Sequence, residues 1–269
     1  MFRRLKIPCN QLSYASDLLK KKFLYSLQLE ANADADKWNQ KRGQGVFTLS
    51  DIPRPFSIRL AKSQDEPHIM HFIRENFYNE EPLIKSLNIN KSVANPCLES
   101  YLCNHLKSGF TLIAVEKDNR IVGISVNQRN CAWDGDRLRE QADRVQCDPL
   151  RKLFYIWSII SKEPRLHQKF NTSCIFEIAI LATAREAQRQ GIGYQLTLHS
   201  LRLARDLGFD VARMDCTNEY SSRLAKRAGM ECMWSVPYKH LVDSDKNPVV
   251  KPEDPHTHIR VHATHLKGA

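Results

Sequence analysis

The sequence predicts a mixed α/β domain built on one sheet, and three observations carry that expectation. β-rich runs alternate with helix-periodic stretches from residue 56 to residue 266. The tetrapeptide Lys117-Asp118-Asn119-Arg120 joins two of those runs and has a hairpin composition. A glycine-containing turn at 188–193 follows a strand pattern and opens a helix pattern.

Each element has its own signal. Phe56, Ile58 and Leu60 alternate with Ser57, Arg59 and Ala61, a short strand. Ser63-Gln64-Asp65-Glu66 reads as a capping box, with Pro67 in the first helical turn. Ile69, Phe72, Ile73 and Phe77 give that helix a buried stripe, which should run out before Glu81-Pro82. A second helix is expected over 96–107, stopping at Gly109. Strands follow at 111–115 and 121–126, then a helical region over 136–169 broken near Pro149 and Pro164. The remainder reads as strand 173–181, helix 192–207, strand 210–216, helix 219–228 and strands 230–236 and 257–266.

Composition narrows the function classes. The 269 residues are 42% apolar and 26% charged, ordinary for a folded chain. The apolar run at 154–160 is too short for a membrane span. Formal net charge is +10, and residues 1–42 hold nine Lys/Arg against four Asp/Glu. Residues 1–52 therefore read as a basic extension, partly disordered or helical at 17–29, ahead of a domain over 53–269. Arg3, Arg4 and Lys6, with no acidic residue in the first sixteen, fit a mitochondrial presequence or a disordered tail. Lys and Arg do not cluster with aromatics as nucleic-acid binding requires, so neither nucleic acid nor membrane is an expected partner. The eight cysteines contain no C-x-x-C pair and fit reduced thiols in the cytoplasm. His256, His258, Arg260 and His262 share one face of the last strand and read as its polar side, not a metal site.

The turn Gln188-Arg189-Gln190-Gly191-Ile192-Gly193 carries the most chemistry. Its backbone N–H groups converge at the positive end of a helix, which suits an anion such as a pyrophosphate. Gly191 and Gly193 permit backbone angles that other residues resist and let a phosphate come close. Arg185 and Arg189 can add charge. The spacing is neither the dinucleotide fingerprint nor a Lys-bearing phosphate loop.

The turn is similar to the Gln/Arg-x-x-Gly-x-Gly/Ala loop of the GNAT N-acetyltransferases, and the surrounding strand–loop–helix order resembles that fold over 56–266. The resemblance implies a central sheet of about seven strands, flanked by helices and splayed between the fourth and fifth. It implies acetyl-CoA as cosubstrate and no metal. Pantetheine would pair with the backbone at Ile178, Ala179, Ile180 and Leu181, where an N–H would stabilise an oxyanion.

Three further segments resemble the insect arylalkylamine N-acetyltransferases: Phe77-Tyr78-Asn79-Glu80-Glu81-Pro82-Leu83, Cys216-Thr217-Asn218-Glu219-Tyr220-Ser221-Ser222-Arg223, and Pro255-His256-Thr257. An alkylamine has a pKa of about 10 and arrives protonated, so a base must free its lone pair. The resemblance assigns that role to Glu81, with Glu80, Pro82 and His256 at the amine. It places Ser221, and Thr217 where the family usually has Ser, near the leaving thiolate. Tyr220 is an alternative donor, and Ser221 with Arg223 would touch the cofactor. Ser221 equally fits a polar residue at a helix start. The expected activity is acetyl transfer to an arylalkylamine or an aliphatic di- or polyamine by a monomer. A protein-lysine acetyltransferase and a non-catalytic CoA-binding protein are the alternatives.

Overall fold

The computed structural model describes residues 55–89 and 96–266. The expected extension 1–52, with its helix at 17–29, lies outside the described residues. The chain runs β1 (Ser57–Leu60), α1 (Glu66–Phe72), α2 (Pro82–Ser86), α3 (Pro96–Leu106), β2 (Leu112–Val115) and β3 (Ile121–Cys131). It continues through α4 (Asp134–Arg144), α5 (Asp148–Lys162), α6 (Leu166–Lys169), β4 (Cys174–Thr183) and α7 (Ile192–Asp206). It ends with β5 (Val211–Cys216), α8 (Glu219–Arg227), β6 (Glu231–Pro237) and β7 (His258–His265).

The strands form a seven-stranded sheet in the order β1-β2-β3-β4-β5-β7-β6. All neighbours are antiparallel except β4 and β5. That parallel pair is short: Phe176, Glu177 and Ile178 oppose Ala212, Arg213 and Met214, and pairing then stops. Beyond it β4 stays with β3, whereas β5 follows β7 through Asp215 and Cys216. Between β3 and β4 the register shifts at the same level, Val126 opposing Ile180 and Asn127 opposing Ile178, which leaves Ala179 as the extra residue of a bulge. A bulge bends its strand and increases its twist. The sheet is therefore parted between its fourth and fifth strands, as expected.

Helix α7 packs over β2, β3 and β4. The approach is close because residue 123 has no side chain: a Cβ on Gly123 would stand 2.6 Å from Ile192 Cγ2 and 3.1 Å from Leu196 Cδ1. On β3 the residues of the other face read Val122, Ile124, Val126, then Gln128 and Asn130. Helices α1 and α3 pack over β3, and α5 reaches β5, where the Ile160 carbonyl accepts from Arg213. Ile69, Ile73, Leu98, Leu102, Leu153 and Phe154 are buried in this layer.

The structure corrects several sequence expectations. The capping residue is Asp65 rather than Ser63: its Oδ2 accepts from the Lys62 amide at 2.7 Å, and both oxygens accept from Arg59. The first helix passes into a π-helical turn at Ile73–Phe77, which Arg74 anchors to α3 by two bonds to Glu99. Pro82 does not merely end a helix; it begins one, because its missing N–H costs nothing at the first helical position. Strand β3 runs to Cys131, five residues past the expected end, since Asn127, Gln128 and Asn130 find hydrogen bonds inside the protein. His262 is not on a solvated face: α8 covers it, and Ser222 Oγ lies 3.5 Å from its Nε2.

Replacing Gly123 by Ala should cost about 1–3 kcal/mol of stability, because Ile192 must move off the sheet. A urea titration reads this as a lowered midpoint at unchanged slope. An unchanged midpoint would show that α7 has room to lift.

Candidate active site

The parting of β4 from β5 opens into a cavity of about 400 Å³. Its walls run from Leu181, Asn218 and Ser221 to Tyr101, His105 and Asp134 beneath the helices. Ile178, Ala179, Ile180 and Thr217 also line it, and so does Glu81.

Glu81 is the N-cap of α2. Its Oε2 accepts from the Ile84 amide at 2.6 Å, and Pro82 fixes the turn that aims it. The residue is 5% exposed, and Oε1 has no hydrogen-bond partner among the described residues. Burial pushes the carboxyl up to about 7. The Ile84 and Leu83 amides and the nearby Thr217 hydroxyl favour the charged form but do not outweigh the lost hydration. A carboxylate poised there can take a proton near neutral pH.

Segments distant in sequence meet around it. Tyr238 donates through its hydroxyl to the Thr217 carbonyl, and burial and the charge of Glu81 both keep that phenol protonated. The Tyr238 amide donates to the Thr257 carbonyl, and the Glu219 amide to His256 Nδ1 at 3.3 Å. Lys85 on α2 pairs with Glu253 at 2.7 Å. So α2 and the start of α8, which line the cavity, are braced from behind by the segment before β7.

The other expected site residues fall in different places. Ser221 lines the cavity; its Oγ donates to the Asn218 carbonyl, while the Asn218 side chain caps α8 by accepting from the Ser221 amide at 2.7 Å. Tyr220 is 62% exposed, outside the cavity walls, with its ring edge-on to His256. Glu80 and Arg223 are exposed, Pro82 is buried at the start of α2, and His256 is half-buried outside the cavity lining.

Gln188, Arg189, Gln190 and Gly191 are exposed ahead of α7, while Ile192 is buried and Gly193 half-buried. Arg189 and Gly191 have left-handed backbone angles, φ 63° and 80°. A side chain at Gly191 would meet nothing within 4 Å, so the positive φ is what calls for glycine. Gly193 is there for packing instead. A Cβ on it would lie 3.2 Å from Leu224 Cδ1 and 3.9 Å from Leu181 Cδ2, so its absence lets α7 and α8 close beside the cavity. The amides of 189–191 donate to no other backbone group among the described residues.

A polar network that sequence reasoning missed forms the floor. Arg213 is fully buried, binds Asp215 through both Nε and Nη2, and donates to Asn130 Oδ1 at 3.1 Å. Gln128 and Asn130 donate to Glu177 Oε2 at 2.8 and 3.2 Å. Burial pushes the Asp215 carboxyl up and Arg213 opposes it. The only sequence signal was the polar tail of β3.

The strand order, the parted parallel pair and the exposed turn before α7 are those of the GNAT acetyltransferase fold. No protein-family model matches the chain. Among solved structures, the arylalkylamine N-acetyltransferase 2 of Aedes aegypti is similar at TM-score 0.75 and 23% identity, covering 79% of this chain and 99% of that one. The polyamine N-acetyltransferase of Drosophila melanogaster, which forms N-acetylagmatine, is similar at TM-score 0.71 and 20% identity, over 78% and 99%. The fold is thereby established.

Because Glu81 is raised, its protonated form supports folding fully below about pH 4.5, and that support is lost as pH rises through about 7. Glu81→Gln mimics the protonated carboxyl. Relative to wild type the variant should gain on the order of 3 kcal/mol between acid and mildly alkaline pH. Paired urea titrations read the difference; parallel pH profiles would contradict the buried placement.

Proposed function

We propose that the chain is an acetyl-CoA-dependent N-acetyltransferase acting on small primary amines. One observation carries the reading: a buried carboxylate with an unpartnered oxygen lines the same cavity as the parted edge of β4. Past Ile178, the last residue paired with β5, the edge at 179–181 has backbone groups that β5 no longer uses, which suits an extended chain carrying amides. The turn at 188–193 offers unbonded amides and Arg189 to a pyrophosphate, and Gly193 places that turn beside Leu181. Residues 178–181 and 188–193 would thus hold acetyl-CoA, whose thioester supplies the acetyl group.

The chain's own groups then have defined roles. The substrate enters as an ammonium, drawn by the Glu81 charge. Glu81 Oε1 takes one proton, and the freed nitrogen lone pair can attack the acetyl carbon. A β4 amide near Ala179, where the bulge interrupts pairing, is placed to steady the developing negative oxygen. As the carbon–sulfur bond breaks, the second amine proton is lost and the sulfur gains one. Ser221 is the cavity-lining hydroxyl suited to pass it, once it leaves the Asn218 carbonyl. The same wall positions Thr217 beside Glu81, so the two hydroxyls divide between base and leaving group. Tyr220, exposed, is less suited to the donor role.

Purified protein with acetyl-CoA and a panel of arylalkylamines and aliphatic amines, read by free thiol, tests this directly. Turnover is expected, with kcat/KM rising through an apparent pKa near that of Glu81. Glu81→Gln should lose this limb and fall on the order of 10²–10⁴-fold, while acetyl-CoA still binds. Cofactor binding without turnover of any amine would favour a non-catalytic CoA-binding protein.

A further inference from the structure

The cavity extends past Glu81, and its charges are unevenly balanced. Four carboxylates line it, Glu81, Asp134, Glu177 and Asp215, against Arg129 and Arg137. Asp215 pairs with the buried Arg213, whose charge also reaches Glu177 and Asp134. Arg129 alternates with Gln128 and Asn130 along β3 and so belongs to the opposite strand face. Arg137 is exposed on α4.

Glu177 is different. It is buried on β4, its Oε2 is oriented by two amide donors, and it makes no ion pair among the described residues. Asp134, held by the Cys131 amide at 2.6 Å, is raised chiefly by burial; the charge of Glu177 adds to this, while the Cys131 amide, Arg137 and Arg213 oppose it. Glu177, Asp134 and Asp215 thus share the buried charge of Arg213, which cannot balance all three, and a further cation between Glu177 and Asp134 relieves the remaining repulsion and the lost hydration.

A second observation points to a ligand. His105 lines the same cavity, is 9% exposed, and its Nδ1 has no hydrogen-bond partner among the described residues. Burial pushes it down to about 4, so the ring is neutral and does not supply the missing positive charge. Tyr101 packs edge-on against it at 4.3 Å and stacks on Trp157 at 5.4 Å, giving the cavity an apolar wall.

We propose that Glu177 and Asp134, with His105 beside them, form a second cation subsite, so that the acceptor is a dication of the diamine, polyamine or guanidinoalkylamine kind. One nitrogen is acetylated at Glu81; the other is held between Glu177 and Asp134, with the methylene chain along Tyr101 and Trp157. This rests on the acetyl-transfer reading above and narrows it, since an arylalkylamine would leave the second site unfilled.

The test compares diaminobutane with butylamine as acceptors for wild type, Glu177→Gln and Asp134→Asn. Wild type should favour the diamine in kcat/KM by on the order of tenfold or more, the scale of a charged hydrogen bond. Each variant should cut that ratio on the order of tenfold, chiefly through the diamine KM, with melting temperature and acetyl-CoA KM as folding controls. If one variant fails to fold, the other carries the comparison. A wild-type ratio near one, or a ratio unchanged in the folded variants, overturns the proposal. Silence toward every amine would sink acetyl transfer itself. Calorimetry of diaminobutane with the CoA-loaded protein then reads the subsite alone: binding weakened in the variants supports it, and none to wild type overturns it.

Discussion

The site depends on three residue pairs and no more. β4 and β5 are joined only through Phe176–Ala212, Glu177–Arg213 and Ile178–Met214, after which each strand keeps its other neighbour. Parting two parallel strands leaves backbone donors and acceptors without partners, which is costly unless something else uses them. The bulge at Ala179 fixes where the parting starts. Gly123 and Gly193 then set where α7 begins, one against β3 and the other against α8, so the turn at 188–193 stands at the edge of the gap.

The floor of the gap has to hold this shape while carrying charge. Arg213 beneath it is wholly buried, and a buried guanidinium is tolerable only when its donors are used. Asp215, Asn130 and the Ile160 carbonyl use them, joining β5, β3 and α5. Glu177 is oriented by Gln128 and Asn130 and makes no ion pair of its own among the described residues, so the charge of Arg213 is spread over several carboxylates. Glu81, which lines the same cavity, is held by a short helix whose first residue is a proline. Rigid placement of both carboxylates is what lets small pKa and specificity effects be read as chemistry.

The sequence made much of this legible, for identifiable reasons. The strands at 173–181 and 210–216 are apolar and bounded by glycine and asparagine signals, and the structure has them as β4 and β5. The turn at 188–193 stood out less for its glycine pair, which alone could simply start a helix, than for its place between a strand and a helix and its likeness to a family loop. Glu81 came from its resemblance to a family segment; its local pattern alone reads as a solvated helix end. What was hidden is the second half of β3. Gln128 and Asn130 look like loop residues until Glu177, 49 and 47 residues away, and Arg213, 83 residues from Asn130, are folded onto them. Pairings at that separation leave no local periodicity. His262 escaped for the same reason: α8 covers it, and nothing near it in the chain says so.

Amide hydrogen exchange with and without acetyl-CoA probes the gap directly. Slowed exchange confined to 178–181 and 188–193, with the outer strands β1 and β6 unaffected, is the expected pattern. Unchanged exchange in both segments at a saturating cofactor concentration would contradict the claim that the parted sheet is where the acetyl donor sits.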